Sequence, residues 1–222
     1  MSNSLTSRGK ILRAAILAAG LCLGLTAAAP ALAQAAHTSS VSDAPRSNEA
    51  RQVINWVAAT GDNHGMPFVI VDKKAAEVFV FDGQGKLLDA TPALLGLARG
   101  DDSAPGIGDR PLSHILPGER TTPAGRFVAS LGYGLGKQDI LWVDYKTALA
   151  LHRVLGANSR EHRLERLAAA SPLDRRITFG CINVPTRFYD RVVQPAFTGT
   201  SGVVYILPEI KSIAEVFAIS AS

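Results

Sequence analysis

Cys181 is the residue whose type and neighbours most invite chemistry, in the run Arg176-Ile177-Thr178-Phe179-Gly180-Cys181-Ile182-Asn183-Val184-Pro185. The other cysteine, Cys22, lies in an N-terminal stretch that reads as an export signal, so export leaves Cys181 alone. A secreted chain with one cysteine makes no internal disulfide, and the thiol is explained either by packing or by reactivity. Free cysteine is often a small buried hydrophobe. The neighbours favour reactivity: Gly180 lets the backbone turn sharply beside the sulfur, and Pro185, Phe188, Val192 and Phe197 predict a helix over Thr186–Phe197. A thiol just ahead of a helix would face unpaired N–H groups and the positive end of the helix dipole, both of which favour the thiolate.

Such a nucleophile needs a base, and the base needs a group that holds its tautomer. Of the five histidines, His37 lies in an Ala-, Ser- and Thr-rich stretch, and His64 and His114 lie in Gly- and Pro-rich loops. His152, ending a strand-like run, and His162, inside the charged run Ser159 to Arg166, remain as candidates. No His-Glu-x-x-His spacing marks a metal site, and His162 with Glu165 one turn on reads as a surface pair. Gly132, Gly134 and Gly136 lack phosphate-loop spacing, and no Ser or Thr follows Lys137, so they read as a flexible turn. No cofactor is implied.

The elements that must position these groups follow from the rest of the chain. Arg8, Lys10 and Arg13, the apolar run Ile11 to Ala29 and the small residues Ala31-Leu32-Ala33 predict a signal peptide over residues 1–33, cleaved before Gln34 to release the protein into the periplasm. An uncleaved membrane anchor is the alternative. Of the net charge of +4, three positive charges leave with the signal, so the basic pI implies neither nucleic-acid nor membrane-surface binding.

Residues 34–48 read as a linker, residues 49–65 as a helix and turn, residues 66–208 as one catalytic-size domain, and residues 209–222 as a C-terminal helix. Phe68–Val71, Glu77–Phe81, Leu87–Leu95, Phe127–Leu131, Ile140–Tyr145, Ala148–His152 and Gly202–Leu207 predict strands. A helix is expected from Asn158 through Ala170, and another from Glu209 to Ile219. Arg99 to Arg120, rich in Gly, Pro and Asp, is a long loop of the kind that forms a substrate wall. The expected fold class is mainly β with peripheral helices.

Phe68 to Phe81 with Gly83-Gln84-Gly85-Lys86, Thr122-Pro123-Ala124-Gly125-Arg126-Phe127, a strand ending in His152, and Thr178-Phe179-Gly180-Cys181-Ile182-Asn183 together resemble the YkuD-type L,D-transpeptidase catalytic domain. The resemblance spans about Met66 to Pro208; Thr178, Gly180, Cys181, Ile182 and Asn183 match the family motif, and Phe179 replaces its usual histidine, as in an exported proteobacterial subgroup.

The resemblance implies a β-sandwich or barrel-like domain in which Cys181 attacks the bond between the third residue of a peptidoglycan stem and the following D-alanine. The resulting thioester is resolved by the amine of a second stem. It further implies His152 as base, the Arg153 carbonyl as the group that orients it, backbone N–H groups of Gly180 and Cys181 as an oxyanion hole, and acylation of the cysteine by carbapenem-type β-lactams. Thr178, Phe179 and Asn183 would support the motif. L,D-carboxypeptidase or peptidoglycan hydrolase activity, and a non-catalytic peptidoglycan-binding relative motivated by Phe179, are the alternatives.

The interval from His152 to Cys181 is 29 positions, longer than in most of the family, and His162 fits the commoner spacing. His152 is preferred because the family histidine ends a strand; the extra length then reads as a helical insertion over the cleft.

Overall fold

A computed structural model of the chain describes residues 47–219 except 135, 155, 157 and 158, so the expected signal segment, nearly all of the linker and Asn158 lie outside the described residues. The strands are β1 (Phe68–Asp72), β2 (Glu77–Phe81), β3 (Leu87–Pro92), β4 (Leu95–Gly96), β5 (Gly125–Tyr133), β6 (Asp139–Asp144), β7 (Leu149–Arg153), β8 (Arg176–Thr178), β9 (Ile182–Val184) and β10 (Ser201–Ile206). Eight of them form one sheet in the order β3-β2-β1-β10-β5-β6-β7-β9, while β4 and β8 pair separately. Within the large sheet β1/β10 and β7/β9 are parallel, and the other neighbours antiparallel. Just past β3 the chain returns to β9, where Leu94 and Asn183 exchange both backbone hydrogen bonds, at 2.8 and 2.9 Å. The sheet therefore nearly closes into a barrel, and the protein is mainly β with a few short helices.

The sequence pattern states which strands are covered on both faces. β1, β2 and β10 read as near-continuous apolar runs, and their alternate residues enter two cores. Val69, Val71, Val78, Val80, Val204 and Ile206 meet Leu141, Leu149, Leu151, Ile182 and Val184 inside. Phe68, Ile70, Phe79, Phe81, Val203 and Tyr205 pack outward under α1 (Asn48–Thr60). Ser47 caps α1 by accepting the Ala50 N–H, and Gly61 ends it in the left-handed region.

Several expected elements are shorter or broken. The strand expected over Leu87–Leu95 divides at Ala93 into β3 and β4, where the chain changes sheet. Among its described residues the helix expected from Asn158 through Ala170 is broken into a 3-10 turn (Ser159–Glu161) and α2 (Arg163–Ala168), with His162 in the left-handed conformation (φ 48°) between them. The segment after Pro185 is helical as expected, through α3 (Thr186–Phe188), a π-helical turn and α4 (Gln194–Phe197). The C-terminal helix contracts to α5 (Ile213–Phe217), because the N–H groups of Glu209, Ile210 and Lys211 all donate to the Asp101 carboxylate instead.

That carboxylate belongs to a buried charge network that ties the long loop to the sheet. Lys73, fully buried, donates to Asp101 at 2.7 Å, to the Gly100 carbonyl and to the Thr122 carbonyl at 2.9 Å. Arg176 clasps Glu209 at 2.7 and 3.2 Å and reaches the Lys73 carbonyl. Burial pushes the Asp101 carboxyl up, but hydrogen bonds from Lys73 and three backbone N–H groups outweigh it and hold the group at about 2.

Because the folded value lies below the unfolded one, the stabilisation is fully present above about pH 4 and is lost as pH falls towards 2, on the order of 2 kcal/mol from this group. Urea unfolding followed between pH 5 and 2 should show that loss, and Asp101→Asn should remove this component of the pH dependence.

Candidate active site

The turn at Gly180 is built by two threonines. Thr178 accepts the Gly180 N–H at 3.1 Å and donates to the Cys181 carbonyl at 2.7 Å, folding the chain tightly between β8 and β9. Thr122, fully buried, donates to the Gly180 carbonyl at 2.7 Å and accepts the Gly96 N–H at 2.9 Å. A Cβ at Gly180 (φ +136°) would lie 2.8 Å from the Thr121 carbonyl oxygen, so only glycine lets the end of the long loop pass so closely.

Thr122→Val keeps the shape but removes both bonds, leaving two buried backbone groups unpaired. We expect roughly 2 kcal/mol lower stability in denaturant unfolding, and slower modification of Cys181 by iodoacetamide if the turn shifts the thiol out of reach.

Cys181 is half-buried, and its thiol donates to the Ala148 carbonyl at 3.7 Å. Ile182 and Val184 point into the inner core, so alternation puts Cys181 and Asn183 on the opposite face. On β7, Leu149 and Leu151 likewise face the core, and His152 lies in register with Asn183. Cys181, one position before β9, and His152 are thus diagonal neighbours on one face of adjacent parallel strands. Trp142, paired with Ala150 and stacked on Tyr145 at 4.6 Å, continues this face.

The imidazole is held at both nitrogens. Nδ1 lies 2.8 Å from the Arg153 carbonyl oxygen, which can only accept, so Nδ1 carries the proton and Nε2 the lone pair. Nε2 in turn accepts from the Asn183 side-chain amide at 3.0 Å. Arg163 fixes the orientation of that amide by donating to Asn183 Oδ1 at 2.7 Å, and Glu161 holds Arg163 through Nε. Burial pushes His152 down from its ordinary value, and the Arg163 charge adds to this against the Arg153 carbonyl. Burial also pushes the Cys181 thiol up, opposed by the Ala150 N–H and by Arg163. In this arrangement both groups rest uncharged.

Three expectations change. Cys181 does not stand at a helix N-terminus, because β9 intervenes before α3, and its pKa is raised rather than lowered. The Gly180 N–H is not free to meet an oxyanion, because the Thr178 hydroxyl accepts it and closes the turn. His162 is exposed, lies 3.7 Å from Glu165 and adopts a left-handed backbone conformation.

His152, Arg153, Asn183, Thr178 and Cys181 are brought together, and Phe179 lies beside them with the Arg120 guanidinium 4.0 Å over its ring. That contact and the Thr121 carbonyl bring the end of the long loop to the turn. The sequence did not single out Arg163 or Arg120, and named Thr122 only as part of a motif; the Thr-Pro-Ala-Gly run was its one available signal. Among the described residues no group of three or more His, Cys, Asp or Glu side chains is gathered as a metal site.

No family model and no curated protein matches the sequence. Among solved structures, the chain is similar to an L,D-transpeptidase from Xylanimonas cellulosilytica (TM-score 0.39, 13% identity, 64% of this chain and 60% of that one). It is also similar to the L,D-transpeptidase LdtMt1 in complex with imipenem (TM-score 0.35, 16% identity, 64% and 58%). A third is the helical cell shape determining protein Pgp2 from Campylobacter jejuni (TM-score 0.42, 12% identity, 66% and 49%). This chain spans about half to three-fifths of the length of these structures. At TM-scores below 0.5 the likeness assigns neither activity nor substrate.

Proposed function

We propose that the protein is an exported, periplasmic cysteine acyltransferase of the L,D-transpeptidase type, acting on peptidoglycan stem peptides in cell-wall biogenesis. The observation that carries this reading is the arrangement of His152. Its Nδ1–H is fixed on the Arg153 carbonyl, which leaves the basic lone pair at Nε2, on the sheet face that also bears Cys181 and where it accepts from the Asn183 amide. His152 takes the thiol proton at Nε2 and Cys181 Sγ attacks the carbonyl of the third stem residue. The oxyanion is met by the Cys181 N–H, a kind of donor worth roughly 3 to 4 kcal/mol in a transition state. The imidazolium returns its proton to the departing D-alanine nitrogen, leaving a thioester. An acceptor amine, deprotonated by His152 as it attacks, forms the 3–3 cross-link and releases the thiol. Water in place of the amine gives the L,D-carboxypeptidase outcome. The residues themselves supply each group in this scheme.

A non-catalytic, peptidoglycan-binding role is the second reading, and one observation favours it: Asn183 occupies His152 Nε2 while the thiol is bonded to Ala148 instead. Incubating the purified protein with disaccharide-tetrapeptide from peptidoglycan and analysing the products by mass separates the two. Release of D-alanine with 3–3 dimers, absent in Cys181→Ala, supports transfer; unchanged substrate that nevertheless co-sediments with the protein on intact sacculi supports binding alone.

A further inference from the structure

We propose that Arg163 determines specificity by taking a substrate carboxylate, and that in doing so it releases Asn183 from His152 so that the imidazole can reach the thiol. This rests on the acyl-transfer reading above and names the part of the substrate that the site selects.

As it stands, the site is held closed by its own hydrogen bonds. Glu161 holds Arg163, Arg163 donates to Asn183 Oδ1, and Asn183 Nδ2 donates to the one basic lone pair of His152. Asn183 is 1% exposed, so its amide cannot exchange these partners for water and stays where Arg163 sets it. While it does, the thiol proton has no acceptor on the imidazole. Opening the site requires a competitor for the Arg163 fork.

A carboxylate is the natural competitor. It pairs with guanidinium through two charge-assisted bonds, stronger than the single bond to a neutral amide oxygen. Arg163 has the capacity, since its Nη2 makes no hydrogen bond among the described residues. It is also in the right place, near enough to both Cys181 and His152 for its charge to act on each. A carboxylate on Arg163 screens that charge and so favours the imidazolium that must form when Sγ–H passes its proton to Nε2.

In the proposed substrate, the α-carboxylate of a terminal D-alanine lies three bonds from the attacked carbonyl carbon. Arg163 would therefore favour stems that end in a free D-alanine and disfavour stems in which that carboxylate is amidated or extended. Other carboxylates of the stem are the same in both and cannot account for the difference.

The test uses the full-length protein, a stem tetrapeptide ending in D-alanine, and the same peptide as its C-terminal carboxamide. In the unaltered protein kcat/KM for release of the last residue is expected to be at least about 30-fold higher for the free acid, and Arg163→Gln should compress that ratio below about threefold. Arg163→Lys, which keeps the charge and loses the fork, should fall between. Binding is read separately in Cys181→Ala by the nitrogen-15 shift of His152 Nε2. The free acid should move it, the carboxamide should not, and Arg163→Gln added to Cys181→Ala should abolish the difference. Equal shifts from both peptides, or a ratio untouched by Arg163→Gln, overturn the role of Arg163. A shift that discriminates without any turnover supports carboxylate capture by Arg163 and overturns the acyl-transfer reading.

Discussion

Replacing His152 with alanine is expected to slow acylation of Cys181 by a carbapenem at least about 100-fold, whereas His162→Ala should leave the rate within about twofold. The difference follows from where the two rings sit. His152 shares a sheet face with the sulfur and has its tautomer set by the Arg153 carbonyl, while His162 is exposed beside Glu165 on the insertion. Burial holds the thiol above its ordinary value, so little thiolate exists without a base and the loss of the imidazole is not made good by spontaneous ionisation.

Intact-protein mass spectrometry over time gives the rates. The same argument fixes the sign of the pH profile: His152 must be neutral to act, and its value is lowered by burial. Acylation should therefore persist to pH values below the ordinary histidine range before it falls. A profile whose acid limb lies above that range would point to a different base.

The second large effect concerns stability. Lys73→Met should lower unfolding free energy by about 3 to 5 kcal/mol, because it leaves Asp101 and Glu209 buried without their shared cation. In a chain of this size that corresponds to a fall in Tm of roughly 6 to 20 °C. The network ties the Gly100–Asp101 loop and the start of the C-terminal segment to Thr122, which holds the Gly180 carbonyl. The same substitution should therefore disturb the turn at Cys181 as well as the thermal midpoint. Denaturant unfolding of Lys73→Met measures the first effect. A Lys73→Met, Asp101→Asn double substitution should recover part of the loss, since it removes the uncompensated charge that dominates it.

Much of the scaffold was legible because it depends on local pattern. Phe68–Val71, Glu77–Phe81 and Gly202–Leu207 read as near-continuous apolar runs, and these are the strands buried on both faces. Gly61 marks the end of the first helix, as expected, whereas its start at Asn48 and its Ser47 cap fall in the stretch read as linker. What was not legible depends on partners distant in sequence. Glu209 to Lys211 have helical character, but a carboxylate more than a hundred positions earlier captures their N–H groups, and the helix starts only at Ser212, whose hydroxyl and Glu215 form a capping box.

The thiol was expected at a helix end because the segment after Pro185 is indeed helical. Three strand residues pairing with β7 intervene, and they replace a helix dipole with a sheet face as its setting. Arg163 carried no signal at all, since its reach to Asn183 exists only once the insertion folds back across β9.

The central claim is that the Cys181 thiol is an attacking group in reach of a base. Its most direct test is the mass of the full-length protein after incubation with a carbapenem. We expect one covalent adduct, localised to Cys181 by peptide mapping and absent from Cys181→Ala; no adduct on the unaltered protein, or an adduct that survives in Cys181→Ala, would contradict it.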